Sequence, residues 1–138
     1  MDKNYRAFFG MKSEPFRSDL THNEILQTDE LKAVKSRFDY AVRLGGAALV
    51  TGEIGSGKST ALRYSTEQLH PSEYKTFYIT ATSGPVLELY RQILTEMGIL
   101  QSSNSKAAMT RLIKNEIVEL INGKKMKVVL VIDEASLL

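Results

Sequence analysis

The chain has no cysteine among its 138 residues and only three prolines. Without cysteine there is no disulfide framework and no thiolate metal site, a pattern that suits a reducing compartment. No apolar run approaches the length of a membrane span, and the opening Met1-Asp2-Lys3-Asn4-Tyr5 lacks the apolar core of a signal peptide. A cytoplasmic location with no membrane segment is therefore the expectation. Strong charge of one sign is also missing: 18 Lys and Arg against 16 Asp and Glu leave a formal +2, too mild to argue for nucleic acid by itself. No internal repeat or low-complexity segment is visible. The remainder, 43% hydrophobic and 25% charged, is the composition of one ordinary globular domain able to bury a core.

The stretch with a chemical meaning is Gly52-Glu53-Ile54-Gly55-Ser56-Gly57-Lys58-Ser59, followed by Thr60. It fills every position of the pattern G-x-x-x-x-G-K-[ST], in which a glycine-rich loop turns backbone N–H groups inward around phosphate oxygens. The glycines let the backbone approach those oxygens closely. Lys58 brings a point charge to the β and γ phosphates, and the Ser59 hydroxyl is a hard oxygen donor suited to Mg²⁺. A helix beginning near Lys58 would aim its positive end at the same anions. The flanks agree: Ala47 to Thr51 has the length and apolarity of a strand, and Lys58 to Leu69 reads as a helix before Pro71.

Residues 1–28 read as an irregular leader. Tyr5, Phe8, Phe9, Met11 and Phe16 suggest that it packs on the domain. Thr21-x-x-Glu24 fits a capping box, but too few apolar residues follow before Thr28 for a helix to be assigned. From Thr28 or Asp29, apolar residues recur at helical spacing until Gly45-Gly46, with Lys32, Lys35, Arg37 and Arg43 on a solvated face. A strand over 76–80 follows, then a helix opened by Pro85 and stopped by Gly98, a loop over 99–104, and a helix capped by Ser105 and stopped by Gly123. The basic cluster Lys124, Lys125 and Lys127 reads as a soluble connector.

The uninterrupted run Val128 to Ile132 predicts a strand buried on both faces, as in a parallel sheet with helices on either side. Asp133 and Glu134 end it, where open α/β sheets place their ligands. Asp133 can hold magnesium through its water shell opposite Ser59. Glu134, expected to point the other way along the strand, can orient a water toward the γ phosphate. Alternation of strand and helix argues for an α/β architecture without reference to any motif.

The chain resembles the ATPase domain of the AAA+ P-loop family, and within it the general secretion pathway protein A (ExeA) type and the related ATP-binding helpers of transposons. Tyr5-Arg6-Ala7-Phe8-Phe9-Gly10-Met11 with Glu14-Pro15-Phe16 resembles the family's leader. Leu49 to Thr60 resembles its Walker A loop, and Val131-Ile132-Asp133-Glu134-Ala135 its Walker B strand. The resemblance implies a leader over 1–28 and an AAA+ domain over 29–138, with ATP and Mg²⁺ as ligands. Gly52, Glu53, Ile54, Gly55, Ser56, Gly57, Lys58, Ser59 and Thr60 would bind nucleotide. Ser59 and Asp133 would bear the metal, and Lys58 and Glu134 would serve catalysis. Phe9 and Phe16 are its candidates near the adenine, although core packing accounts for both.

Two positions depart from the family: Thr80-Ala81-Thr82 stands where Asn-Pro is common, and Ser136 where Gln is common. The family also continues past the equivalent of Leu138 with a sensor strand, an arginine finger and a helical lid, so the resemblance implies a domain truncated after the Walker B strand. In the family that next strand lies between the Walker B and Walker A strands. Its slot would hold residues 47–51 and 128–132 roughly 10 Å apart. Residues 1–138 alone are therefore expected to bind nucleotide poorly, to lack ATPase activity and to self-associate. Three readings stand beside one another. One is an ATP-hydrolysing switch, a homo-oligomer acting on secretion-system proteins or another macromolecule. A second is a nucleotide-dependent assembly module that binds DNA and recruits a transposase. The third is an inactive fragment.

Overall fold

The computed structural model describes residues 4–15, 17, 20–100 and 104–138. Two parallel strands form its sheet, β1 (Tyr74–Thr80) and β2 (Lys127–Asp133), paired from Tyr74 opposite Lys127 to Thr80 opposite Asp133. Five α-helices accompany them: α1 (Asn4–Phe8), α2 (Asp29–Leu44), α3 (Lys58–Thr66), α4 (Val86–Glu96) and α5 (Lys106–Val118). The crossover from β1 to β2 runs through α4 and α5, as a parallel pair requires. α4 packs on β1, α5 on α4, α3 against β2 and α2 against α3.

Local chemistry sets the helix ends. The Thr28 hydroxyl accepts from the Leu31 N–H at 3.2 Å and starts α2. The helix closes at Gly45 and Gly46, whose N–H groups return to Val42 and Ala41 carbonyls. Ser105 caps α5 by accepting from the Ala108 N–H. The apolar stripe of α5 and the turn after it buries Met109 and Leu120 but leaves Ile121 exposed. Here the helix widens into a single π turn over Glu119–Gly123 before β2, which rotates the stripe off its α-helical track. Phe77, Leu94, Met109 and Ser65 are the most deeply buried side chains. Leu31, Ala61 and Tyr64 form a second cluster between α2 and α3, with Ile25 and Val34 against it.

Four expectations are corrected. Residues 47–51 are neither helix nor strand and join no ladder, and Leu49 is 82% exposed. Among the described residues no strand lies beside them, and an extended segment becomes sheet only when a neighbour takes its hydrogen bonds. For the same reason β2 is not buried on both faces: Val131 and Asp133 are buried, yet Leu130 is 43% exposed. The leader is not wholly irregular, since α1 lies in it, and its described aromatics Tyr5, Phe8 and Phe9 are exposed. Phe8 is 81% exposed and meets Phe9 edge-on, with ring centroids 4.9 Å apart. Contact with the domain comes instead from Ile25 against the second cluster and from the His22 N–H, which donates to Glu67 at 3.2 Å. Thr21 and Glu24 make their capping-box contact, the Thr21 N–H to the Glu24 carboxylate at 3.0 Å, around a turn without a helix. Finally, β2 ends at Asp133, so Glu134 does not follow the alternation of a strand. It adopts a left-handed backbone, φ 56°, that turns the chain into a short 3-10 helix over Ala135–Leu137.

Candidate functional site

The glycine loop lies between residues 47–51 and α3. Gly57 caps α3 with φ 85°, a left-handed geometry that glycine takes without strain. At Gly52 the restriction is space: a Cβ there would stand 2.7 Å from the Ser56 Oγ. The loop is closed by the Ser56 N–H donating to the Glu53 carbonyl at 3.2 Å. Lys58 folds back across it, its Nζ donating to the carbonyls of Gly52 at 2.9 Å and Glu53 at 2.8 Å. Glu53 thus contributes through its backbone, while the Ile54 side chain stands fully in solvent. Gly55 shares the left-handed geometry at φ 82°. Thr60 is exposed in the first turn of α3, and Lys58 and Ser59 are partly covered. The first N–H groups of α3 have no intrahelical acceptor, and with the Lys58 ammonium they give the loop mouth a positive character. A narrow backbone cradle with a cation across it fits a phosphate chain.

Asp133 enters the same site from the sheet. Because Tyr78 pairs with Val131, Tyr78, Val131 and Asp133 share one face, and Asp133 lies two residues further along it. That face meets α3. The Tyr78 hydroxyl donates to Asp133 Oδ2 at 2.8 Å, and the Glu134 N–H donates to Oδ1 at 2.9 Å. Arg63, one helical turn after Ser59, stands with its guanidinium carbon 5.9 Å from the Tyr78 ring centroid. Asp133 is only 7% exposed. Burial alone would push its carboxyl up. The Ser59 hydroxyl, the Tyr78 hydroxyl, the Glu134 N–H and the Arg63 charge outweigh that and hold it below its ordinary value. Burial, and the carboxylate to which it donates, push the Tyr78 phenol up to about 12.

Ser59 thus lies near enough to Asp133 to act on its carboxyl, with Lys58 the residue before it at the start of α3 and Glu134 exposed beyond the strand end. A hydroxyl and an ionised carboxylate facing each other are a hard-oxygen donor pair suited to Mg²⁺ with most of its waters. Phe9 is exposed in the leader, and Phe16 falls outside the described residues. Sequence reasoning missed Tyr78 and Arg63. Arg63 is at i+4 from Ser59, and Tyr78 is a phenol in an apolar strand that needs a polar partner; both signals are visible only once the strand register is known.

Residues 42–138 match a family model described as an AAA domain. The chain is also similar to the General secretion pathway protein A of Aeromonas hydrophila, with 29% identity over 134 residues. That alignment covers 96% of this chain and 24% of the relative, so the chain spans about a quarter of that protein's length. No solved structure matches it significantly. Among the described residues, no helix is long and apolar enough to cross a membrane.

Proposed function

The chain belongs to the AAA domain family, and from that premise we propose that it binds ATP with Mg²⁺ and hydrolyses it, coupling the cycle to the assembly or remodelling of a partner macromolecule. One observation carries the reading: Asp133, far from the loop in sequence, is buried at the end of β2, and β2 packs against α3, the helix that starts at the loop's Lys58 and Ser59. The loop from Gly52 to Ser59 is the Walker A element, and Val128 to Glu134 is the Walker B element. The loop N–H groups and Lys58 hold the β and γ phosphates. Ser59 and Asp133 are the residues that would carry Mg²⁺, whose chemistry is to neutralise charge on the β and γ oxygens. Glu134 orients a water in line with the γ phosphorus and takes its proton on the carboxylate as the new P–O bond forms. The bond to the bridging oxygen breaks, and ADP leaves with that electron pair.

The partner is proposed by analogy with the name of the secretion relative, and the site of action is the cytoplasm, where ATP is supplied. Self-assembly through an AAA+ interface belongs to the same proposal. A role in recruiting a transposase on DNA is the alternative. No reading helix or zinc pattern appears in the sequence, so such DNA contact would belong to an oligomer and be largely independent of base sequence.

Substitution separates binding from chemistry. Lys58→Ala is expected to weaken ATP binding about 10- to 100-fold, the loss of charge-assisted contacts at roughly 1.5–3 kcal/mol. Glu134→Gln is expected to bind ATP as the parent does and to turn it over at least about 100-fold more slowly. Titration with a fluorescent ATP analogue and a phosphate-release assay on the full chain measure both. Unchanged turnover in Glu134→Gln would remove the catalytic assignment.

A further inference from the structure

We propose that Tyr78 is the positioning residue for the metal-bearing Asp133, fixing the carboxylate in the one orientation that presents it to Ser59 and to the water shell of Mg²⁺. The proposal rests on the nucleotide reading above and adds to it a residue outside both sequence motifs.

An ionised carboxylate has about four lone-pair directions and, on a free aspartate, rotates among them. Here each oxygen is taken by a different element. β1 supplies the Tyr78 O–H to Oδ2 at 2.8 Å, and the turn after β2 supplies the Glu134 N–H to Oδ1 at 2.9 Å. With one donor on each oxygen the plane of the group is set, and the remaining lone pairs are left for the α3 side, where Ser59 stands. The reach follows from register. Asp133 is the same-face diagonal neighbour of Tyr78, a separation of about 7–8 Å between backbones that a long aromatic side chain can span and a serine or threonine cannot.

The ring is held in turn. Arg63 lies over Tyr78, and it shares a face of α3 with Ser59 one turn earlier. One helix therefore places both the hydroxyl that faces the metal and the cation that steadies the tyrosine. A tyrosine that merely needed a hydrogen-bond partner could have used any nearby carbonyl. This one donates to the buried carboxylate at the end of the neighbouring strand. Hydrogen-bonding partners of metal ligands govern metal affinity by about 10- to 100-fold, because they hold the ligand in its bound orientation beforehand.

The test is the Mg²⁺ dependence of nucleotide binding by the full chain. A fluorescent ATP analogue is titrated with MgCl₂ and, separately, in EDTA. Tyr78→Phe keeps the ring under Arg63 and removes only the hydroxyl. It is expected to raise the Mg²⁺ half-saturation concentration about tenfold while leaving metal-free binding of the analogue within about twofold. In an Asp133→Asn background the same change is expected to add nothing, since the two residues act as one unit. Arg63→Lys, which keeps the positive charge beside Asp133 and removes the planar guanidinium from over the ring, is expected to shift the Mg²⁺ dependence in the same direction, and it serves if Tyr78→Phe does not fold. Unchanged Mg²⁺ dependence in the folded variants overturns the positioning role. So does an equal loss in EDTA, or a shift that persists without the Asp133 carboxylate. A parent chain that does not bind the analogue overturns the nucleotide reading itself, whereas one that binds it without any Mg²⁺ dependence overturns the metal role of Asp133 and this role of Tyr78 with it.

Discussion

At Gly52 the neighbour that a Cβ would meet is a hydroxyl able to rotate: the Ser56 Oγ at 2.7 Å, with the Ser56 Cβ at a tolerable 3.6 Å. Gly52→Ala should therefore force a rotamer change and not rupture the loop, a cost of about 0.5–1.5 kcal/mol. ATP affinity is expected to fall about 2- to 10-fold, and Ser56→Ala in the same chain should restore much of it. Equilibrium titration of the three variants checks this, and a clash elsewhere would leave the second substitution without effect. Tyr78 has its own signature. Its phenol is pushed up to about 12 by burial and by the Asp133 carboxylate. A folded value raised above the unfolded one gives stability that is fully present below the ordinary tyrosine range near 10 and lost as pH rises through about 12. Of the six tyrosines, the one removed in Tyr78→Phe should be missing from the late end of the tyrosinate absorbance titration. A difference curve centred near 10 would count against the buried hydrogen bond.

Among elements, α2 shows how a local signal and the core reinforce each other. Thr28 caps the helix by accepting from the N–H of Leu31, and Leu31 is itself buried in the cluster with Ala61 and Tyr64. Thr28→Ala should lower stability by about 1 kcal/mol, seen as a lower denaturation midpoint at unchanged slope. The helices were legible because each satisfies its own backbone, so apolar spacing, a cap and a glycine stop are enough to locate it. The segment 47–51 was not, despite an equally apolar spelling. Its hydrogen bonds depend on another segment, and none of the described residues offers them. The capping-box pair Thr21 and Glu24 makes the same point from the other side: the contact forms, but no apolar face follows to hold a helix against the core.

For the molecule as a whole, the two-stranded sheet leaves both outer edges unpaired among the described residues. Leu130 on β2 is partly exposed, and Leu49 in residues 47–51 stands largely in solvent. Open edges with exposed apolar side chains are templates for pairing with another chain, and a charge on the edge is the usual protection. The 138-residue chain is expected to self-associate with rising concentration in sedimentation, and Leu130→Lys to move it toward monomer. A monodisperse monomer with a cooperative melt would contradict the edge argument.

What residue order determined on its own was the chemistry of the loop, the caps and stops of the helices, and the strand that delivers Asp133. Each depends on neighbours within a turn or two, where sequence spacing and spatial spacing coincide. The approach of α3 to buried Asp133, the donation from Tyr78 and the placement of Arg63 over its ring were decided by tertiary structure. They depend on the parallel register of β1 and β2 and on how α3 lies against that face. Glu134 shows the boundary most clearly. Its identity was readable in the sequence, but its direction was not, because β2 stops one residue earlier and the backbone turns left-handed there.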